Sequence, residues 1–345
     1  MLSEDASMRI KHKTAIISFI ALYILIFILS FSIGRYPIKP IELIRILFSR
    51  VIPIRQTWAR QAEIVVFNIR MPRLIAASLI GAALSLSGLV FQTIFHNPMV
   101  SPDVLGTTSG AGFGAALALL FELPMAAVSM TAFIFGLLSI LFVCLIASRV
   151  RHNQILGLVL GGIMVSSLFS SATSFVKLVA DPNNTLPSIT YFLMGSLAGC
   201  TMADIKLVII PMLIGMIIII SCSWRINLLS LSEEEARSLG VNTKLMRIVL
   251  ITASALMISS SVAIAGVIGW IGLVIPHIVR MIIGCDSRYT IPSSIFLGAA
   301  FLIATDTASR MLSTSEIPIG ILTSILGAPF FLYLILRQGR RENES

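Results

Sequence analysis

Charge is scarce in this chain of 345 residues. Asp, Glu, Lys and Arg make up 12% of it, against roughly 25% in ordinary soluble domains, and the mean hydropathy is +0.97. A soluble globular protein is excluded. Cysteine is scarce as well. Cys144, Cys200, Cys222 and Cys285 lie far apart with no C-x-x-C pair, which argues against a zinc cluster or a local disulfide and reads them as small apolar residues. The patterns G-x-x-x-x-G-K-[ST], H-E-x-x-H and G-x-S-x-G are all missing. The chain therefore carries no phosphate loop, metalloprotease helix or nucleophile elbow. Any active process it serves draws its energy from elsewhere.

What the chain does have is long uncharged runs, at 14–34, 74–102, 123–148, 153–176, 207–224, 248–279 and 317–336. A membrane crossing needs about 20 residues, and all but the slightly short 207–224 run reach that length. Residues 104–121 add a shorter candidate, and 289–309 is interrupted only by Asp306. The 248–279 run is too long for one crossing and carries Gly266, Gly269, Gly272 and Pro276, so it divides in two. The expectation is an all-α integral membrane protein of ten spans, one domain over 1–345, with no room for a soluble domain.

Arg9, Lys11 and Lys13 precede the first span and put the N-terminus in the cytoplasm. Ten spans return the tail residues Arg337, Arg340 and Arg341 to the same side, with Arg149, Arg151, the 232–247 loop and 280–288. The first external loop, 35–69, breaks the rule, since Arg35, Lys39, Arg45, Arg50, Arg55 and Arg60 crowd it and Arg70 and Arg73 follow. Two causes are taken together. The stretch PIELIRILFSR at 40–50 sets Glu42, Arg45 and Ser49 against Leu43, Ile44, Leu47 and Phe48, as in a helix lying in the interface. Arg70 and Arg73 suit an acidic protein partner docking from outside.

Residues 229–244 read LSLSEEEARSLGVNTK, an acidic cluster between two apolar segments. Ser232 and Glu235 form the S-x-x-E capping box, and Gly240 is a natural helix stop. Leu229, Ser232, Ala236 and Leu239 share a face, with Glu233, Glu234 and Arg237 turned away. Two turns of helix are unstable alone in water. The segment is either a solvated cap at a membrane exit or a helix seated on a partner.

Inside the spans, small residues cluster at Gly81, Gly88, Gly106, Gly110, Gly112 and Gly114, which in lipid signals close helix packing. The break at His96, Asn97, Pro98, Ser101, Pro102 and Asp103 ends one helix and restarts another, with Asp103 placed to cap the second. Irregular backbone at that depth needs protein or a water-filled cavity beside it, which makes Asn97 and Pro98 pathway candidates. Gly88 precedes Pro98 by the interval that separates Gly266 from Pro276, an arrangement compatible with an inverted repeat. His96 and His277 stand beside these breaks and read as hydrogen-bonded fillers. Asp306 and Arg310, four apart, share a helix face and can pair. An ionisable group within a span also admits a proton-coupled secondary transporter using Asp306.

RMPRLIAASLIGAALSLSGLVFQTIFHNPMVSPDVLGTTSGAGFG, LSEEEARSLGV, GVIGWIGLVIPHIVRMIIGCDSR, ATDTASR and EIPIGILTSILGAPFF occur in that order within a stretch of resemblance that covers about 65–336. In this the chain closely resembles the permease subunits of ABC importers for ferric siderophores, heme and vitamin B12. The resemblance implies ten helices per subunit in a dimeric permease of the prokaryotic cytoplasmic membrane, with two ATPase subunits inside and a substrate-binding protein outside. It implies no enzyme and no cofactor on this chain, with ATP and Mg on the ATPase subunits, and no nucleic acid. It makes the 229–244 loop the coupling helix, with Ser232, Glu233, Glu235, Ala236, Leu239 and Gly240 against the ATPase. It assigns Arg70, Arg73 and Arg310 to binding-protein glutamates and Asn97 with Pro98 to the cytoplasmic gate. Gly88, Gly266, Pro276 and Asp306 stay structural.

Overall fold

A computed structural model describes residues 2–50, 52, 55–150, 154–313 and 315–343. Arg151 lies outside them, as do the side chains of Arg9, Arg337, Arg340 and Arg341. Helices run α1 Leu2–Ser32, α2 Pro40–Phe48, α3 Arg60–Ile64, α4 Met71–Ile94, α5 Thr107–Leu120, α6 Met125–Arg149, α7 Gln154–Val179 and α8 Thr185–Leu193. They continue with α9 Met202–Ser221, α10 Ser223–Leu229, α11 Glu233–Ser238, α12 Thr243–Ala265, α13 Ile271–Ile283, α14 Ser287–Leu312 and α15 Ile319–Asn343. Among the described residues, seven helical stretches are long and apolar enough to cross a membrane, and Thr107–Leu120, Ile271–Ile283 and Ile319–Tyr333 are shorter apolar helices.

Helices α4 and α12 stand at the centre, buried on most sides, while α1, α6, α7 and α9 surround them. Small residues explain how α4 reaches that position. A methyl on Gly81 would fall 2.3 Å from the Gly298 carbonyl oxygen of α14, and one on Gly88 would fall 1.7 Å from the Gly272 oxygen of α13. Backbone meets backbone, which only glycine permits. Contacts between α4 and α14 run antiparallel, from Arg73 beside Asp306 to Gly81 beside Gly298.

Helix α4 is entered through a π-helical turn, Val65–Arg70. Pro72 has no N–H for a carbonyl four residues back, and the chain adapts by widening, with the Met71 N–H donating to the Val66 oxygen. The irregular loop after α2 therefore ends near Ala59, and α3, the π turn and α4 form one helical stretch over Arg60–Ile94 instead of leaving 35–69 as loop. The amphipathic α2 is present, with Leu43 and Ile46 buried and Ile41, Ile44 and Phe48 exposed.

The 248–279 run divides as expected, at 266–270. Three helix ends meet there. Gly195 and Gly266 take left-handed backbone, at φ +75° and +66°, and Ser196 N donates to the Ala265 oxygen at 2.8 Å. Ile319 N donates to the Gly195 oxygen at 2.8 Å, and Gly320 N to the Met194 oxygen at 3.2 Å. The ends of α8 and α12 and the start of α15 thus satisfy one another's backbone. The two Gly-to-Pro intervals fold differently: Gly88 lies inside α4, against Gly272 in the first turn of α13, and Pro98 follows the end of α4, whereas Gly266 ends α12 and Pro276 lies inside α13. The inverted-repeat correspondence is not reproduced in their local structure.

Candidate functional site

Ser287 to Arg310 along α14 spans about 35 Å at 1.5 Å per residue. Two clusters of polar side chains therefore sit at opposite ends of the bundle.

At the first end, α11 forms with its capping box complete. Glu235 Oε2 accepts from Ser232 N at 3.0 Å, and Ser232 Oγ accepts from Glu235 N at 3.3 Å. The Ser232 side chain, and then its backbone N–H, hold the Glu235 carboxyl below the usual range. Gly240 at φ +81° ends the helix, with Val241 N donating to the Ala236 oxygen at 3.1 Å. Glu233 pairs with Arg237 at 2.5 Å and with Arg247 of α12 at 3.2 Å. It thereby ties α11 to its own bundle. Ala236 keeps 1% of its surface exposed and Leu239 keeps 55%. The face expected to hold both against a partner is thus split, because Ala236 packs inward. Leu231, Leu239 and Leu245 remain outward, with Gly240 open beside them.

The segment before α11 is clamped to the α13–α14 turn. Asn227 Nδ2 donates to Asp286 Oδ1 at 2.8 Å, Ser287 N donates to Asn227 Oδ1 at 2.6 Å, and Arg288 bonds Asp286 Oδ2 at 2.7 Å. The Arg288 hydrogen bonds, then Asn227, hold the Asp286 carboxyl at about 2, below its ordinary 3.8. A depressed carboxyl stabilises the folded state above the unfolded pKa and loses that effect as pH falls through the folded one. The clamp should therefore be whole above about pH 4 and fail toward pH 2. Hydrogen exchange at the Ser287 amide reads this, and protection unchanged down to pH 2 would count against it. Nothing in the sequence pattern marked Asn227.

The break after α4 lies at this same end. His96 is left-handed at φ 50°, Asn97 N donates to the Gln92 oxygen at 3.1 Å, and Asn97 Oδ1 accepts from Met99 N at 2.9 Å. The Asn97 side chain thus folds onto its own turn, beside Pro98. Asp103 braces α5 by accepting from Thr108 Oγ1 at 2.5 Å, while Gly106 holds the cap position it was expected to fill. Pro276 leaves the Gly272 carbonyl without a helical donor. Gln92 supplies one, its Nε2 reaching the Gly272 and Leu273 oxygens at 3.3 and 3.1 Å.

At the other end Arg70, Arg73 and Arg310 lie together, as expected, but keep only 2%, 3% and 6% of their surface. Arg73 bonds Asp306 at 2.7 Å and, in a fork, Glu316 at 2.9 Å. Arg310 stands 3.2 Å from Asp306. Arg70 donates to the Phe31 and Tyr36 carbonyls, fastening the end of α1 to α4. The three arginines are thus internally paired and do not form an open basic surface. Asp306 is fully buried between two of them, which is unlike a carboxyl left free to carry protons.

Comparison with known proteins decides the family. The FecCD transport family matches residues 22–337. The chain belongs to that family, one of ABC transporter permease subunits. A molybdate import system permease protein, MolB of Haemophilus influenzae, is 37% identical over 318 residues, covering 91% of this chain and 94% of its own length. A probable iron chelatin transport system permease protein of Helicobacter pylori is 39% identical, covering 80% and 83%. The hemin transport system permease protein HmuU of Yersinia pestis is 38% identical, covering 81% and 84%. A solved inward-facing structure, assigned to a metal-chelate type ABC transporter, superposes with a TM-score of 0.85 at 35% identity, covering 94% of this chain and 99% of its own.

As a FecCD-family chain it is a multi-pass protein of the prokaryotic inner membrane. The sequence reading named no residues on α7. Ser167, Ser170, Ser171 and Ser174 are exposed there, between exposed Leu160, Met164, Phe175 and Leu178. A hydroxyl-bearing face on an otherwise apolar helix was the available signal.

Proposed function

We propose that this chain is the permease subunit of an ABC importer that moves an intact iron chelate, heme or corrinoid across the cytoplasmic membrane. The energy comes from two separate ATPase subunits. The carrying observation is α11, a short capped helix held by Glu233 to Arg247 yet presenting Leu231, Leu239 and Leu245 outward. Too short to be stable alone, it owes its rigidity to the bundle and is free to seat on an ATPase. Nucleotide-driven closure of the ATPase pair would then shift the permease between states that each partner binds unequally.

Ten spans with both termini in the cytoplasm put α11 on the ATPase side and the arginine cluster outside. Binding-protein docking there would work by exchange, an incoming carboxylate replacing the partly exposed Glu316 on Arg73. A second copy fits the exposed α7 face, whose serines would be poorly placed against lipid and well placed along a shared conduit. The MolB relative brings in a second cargo class, the metal oxyanion, because it matches 91% of this chain.

Proteoliposomes carrying the permease, ATPase and binding protein test the reading, offered labelled heme, cobalamin, ferric chelate and molybdate in turn. Uptake of none, or uptake without the ATPase driven by a proton gradient, overturns it. Leu239→Glu should leave the fold intact but cut uptake per ATP hydrolysed about tenfold or more, since a charge replaces the apolar contact. Wild-type coupling in that variant would remove α11 from the ATPase contact. Ala236→Glu should instead fail to fold, because the charge would enter the bundle.

A further inference from the structure

A cavity of about 260 Å³ lies where the end of α4 meets α13, the first turn of α14 and the turn after α10. Its polar wall includes Gln92, His96, Ser230, Arg280, Ser287 and Thr290, and no carboxylate among the described residues lines it. The Arg280 side chain makes no hydrogen bond or ion pair among the described residues, and its Nη2 is buried without a partner. The carboxylate nearest in sequence, Asp286, is committed to Arg288 and Asn227. Burial depresses the stability of a lone cation, so a half-buried guanidinium facing a cavity calls for an outside counter-charge.

Gln92 defines the same wall from the other side. It keeps 3% of its surface exposed, its Nε2 is fixed on the Gly272 and Leu273 carbonyls, and its Oε1 is a buried acceptor with no donor. The cavity is thus lined by the Arg280 guanidinium, the Ser287 and Thr290 hydroxyls as donors, and Ser230 Oγ as an acceptor. A water takes about 30 Å³ of liquid volume, so there is space for a four-oxygen anion and its hydration.

We propose that this cavity is a binding site for a small tetrahedral oxyanion of the phosphate type. Arg280 supplies the charge, Ser287 and Thr290 donate to its oxygens, and Ser230 Oγ, whose own proton goes to the Asn227 carbonyl, accepts from its hydroxyl. The bound anion joins the end of α4 to Ser230, two residues before the Ser232 cap of α11. It therefore favours the arrangement of gate and coupling segment seen in this structure. The oxyanion has two sources, phosphate from the cytosol or a metal oxyanion delivered as cargo.

The test uses the full-length permease in detergent, with equilibrium dialysis of labelled phosphate and labelled molybdate in chloride buffers of matched ionic strength. Wild type should bind phosphate saturably near one per chain. Arg280→Gln should weaken it at least about tenfold, as expected for the loss of one charge-assisted hydrogen bond, with Arg280→Lys between the two. His96→Glu, which places a carboxylate on the wall and disturbs no side-chain bond of His96, should also weaken it and keeps the test informative if Arg280→Gln does not fold. Arg45→Gln, on an exposed position of α2 and outside the cavity, should bind like wild type. Phosphate without molybdate supports a cytosolic occupant that needs a hydroxyl, and both together support an oxyanion site open to cargo. No saturable phosphate binding by wild type, or equal binding by Arg280→Gln and His96→Glu, overturns the proposal. The site rests on the geometry of this chain and not on the transport reading, so anion binding and ATP-driven uptake succeed or fail separately.

Discussion

Replacing Asp306 with alanine should destabilise the folded permease by about 3–5 kcal/mol, the effect expected when one partner of a buried ion pair is removed. The arrangement makes the reason plain. Asp306 is fully buried, with Arg73 at 2.7 Å and Arg310 at 3.2 Å, so without it two guanidinium groups face each other in a site with almost no water. Glu316 pairs directly with Arg73 and not with Arg310, and does so from a partly exposed position. Neutralising the set together, as Arg73→Met, Asp306→Leu and Arg310→Met, should lie closer to wild type than Asp306→Ala alone, because no unpaired charge stays behind. Glu316→Gln should cost about 1 kcal/mol or less, as its carboxylate is partly solvated. Thermal unfolding of the four purified proteins ranks them. If Asp306→Ala melts with wild type, the buried network is not what holds α4 to the end of α14.

That network shows where the sequence was legible and where it was not. The i, i+4 spacing of Asp306 and Arg310 showed that they can pair, and the excess of arginines up to Arg73 suggested a basic site that Arg310 could join. Neither could show that Arg73 closes the same carboxylate across helices, or that Arg70 caps the carbonyls of Phe31 and Tyr36. Those are contacts between α4 and helices distant in the chain, and they turn an expected open surface into a buried one. Helix α11 behaves likewise. Its caps are local chemistry and formed as the capping box and Gly240 required. The direction in which Ala236 faces depends on how the helix lies on α12, which the Glu233–Arg247 pair decides. The break at 266–270 was visible in its glycines, but its three-way meeting with 194–196 and 319–320 is tertiary.

Gly266→Ala, at that meeting point, should be among the most disruptive single-methyl changes in the chain. Two independent costs act at once. The residue sits at φ +66° and ψ −159°, a region essentially closed to residues with a Cβ, at about 1–3 kcal/mol. A methyl there would also lie 1.9 Å from the Phe192 carbonyl oxygen, which is backbone and cannot rotate aside. Relief requires moving the end of α8, and that would break the Ser196–Ala265 and Ile319–Gly195 hydrogen bonds together. Ala265 and Ile319 are buried, so backbone groups freed there would cost stability. Gly269→Ala is the internal control, three residues on in the same break, because a methyl there meets nothing within 4 Å. The expected result is a large loss of folded yield and thermal midpoint for Gly266→Ala and wild-type behaviour for Gly269→Ala. Equal tolerance of both would mean that the junction is loose enough to yield, and that the ends of α8, α12 and α15 move independently instead of as one hydrogen-bonded unit.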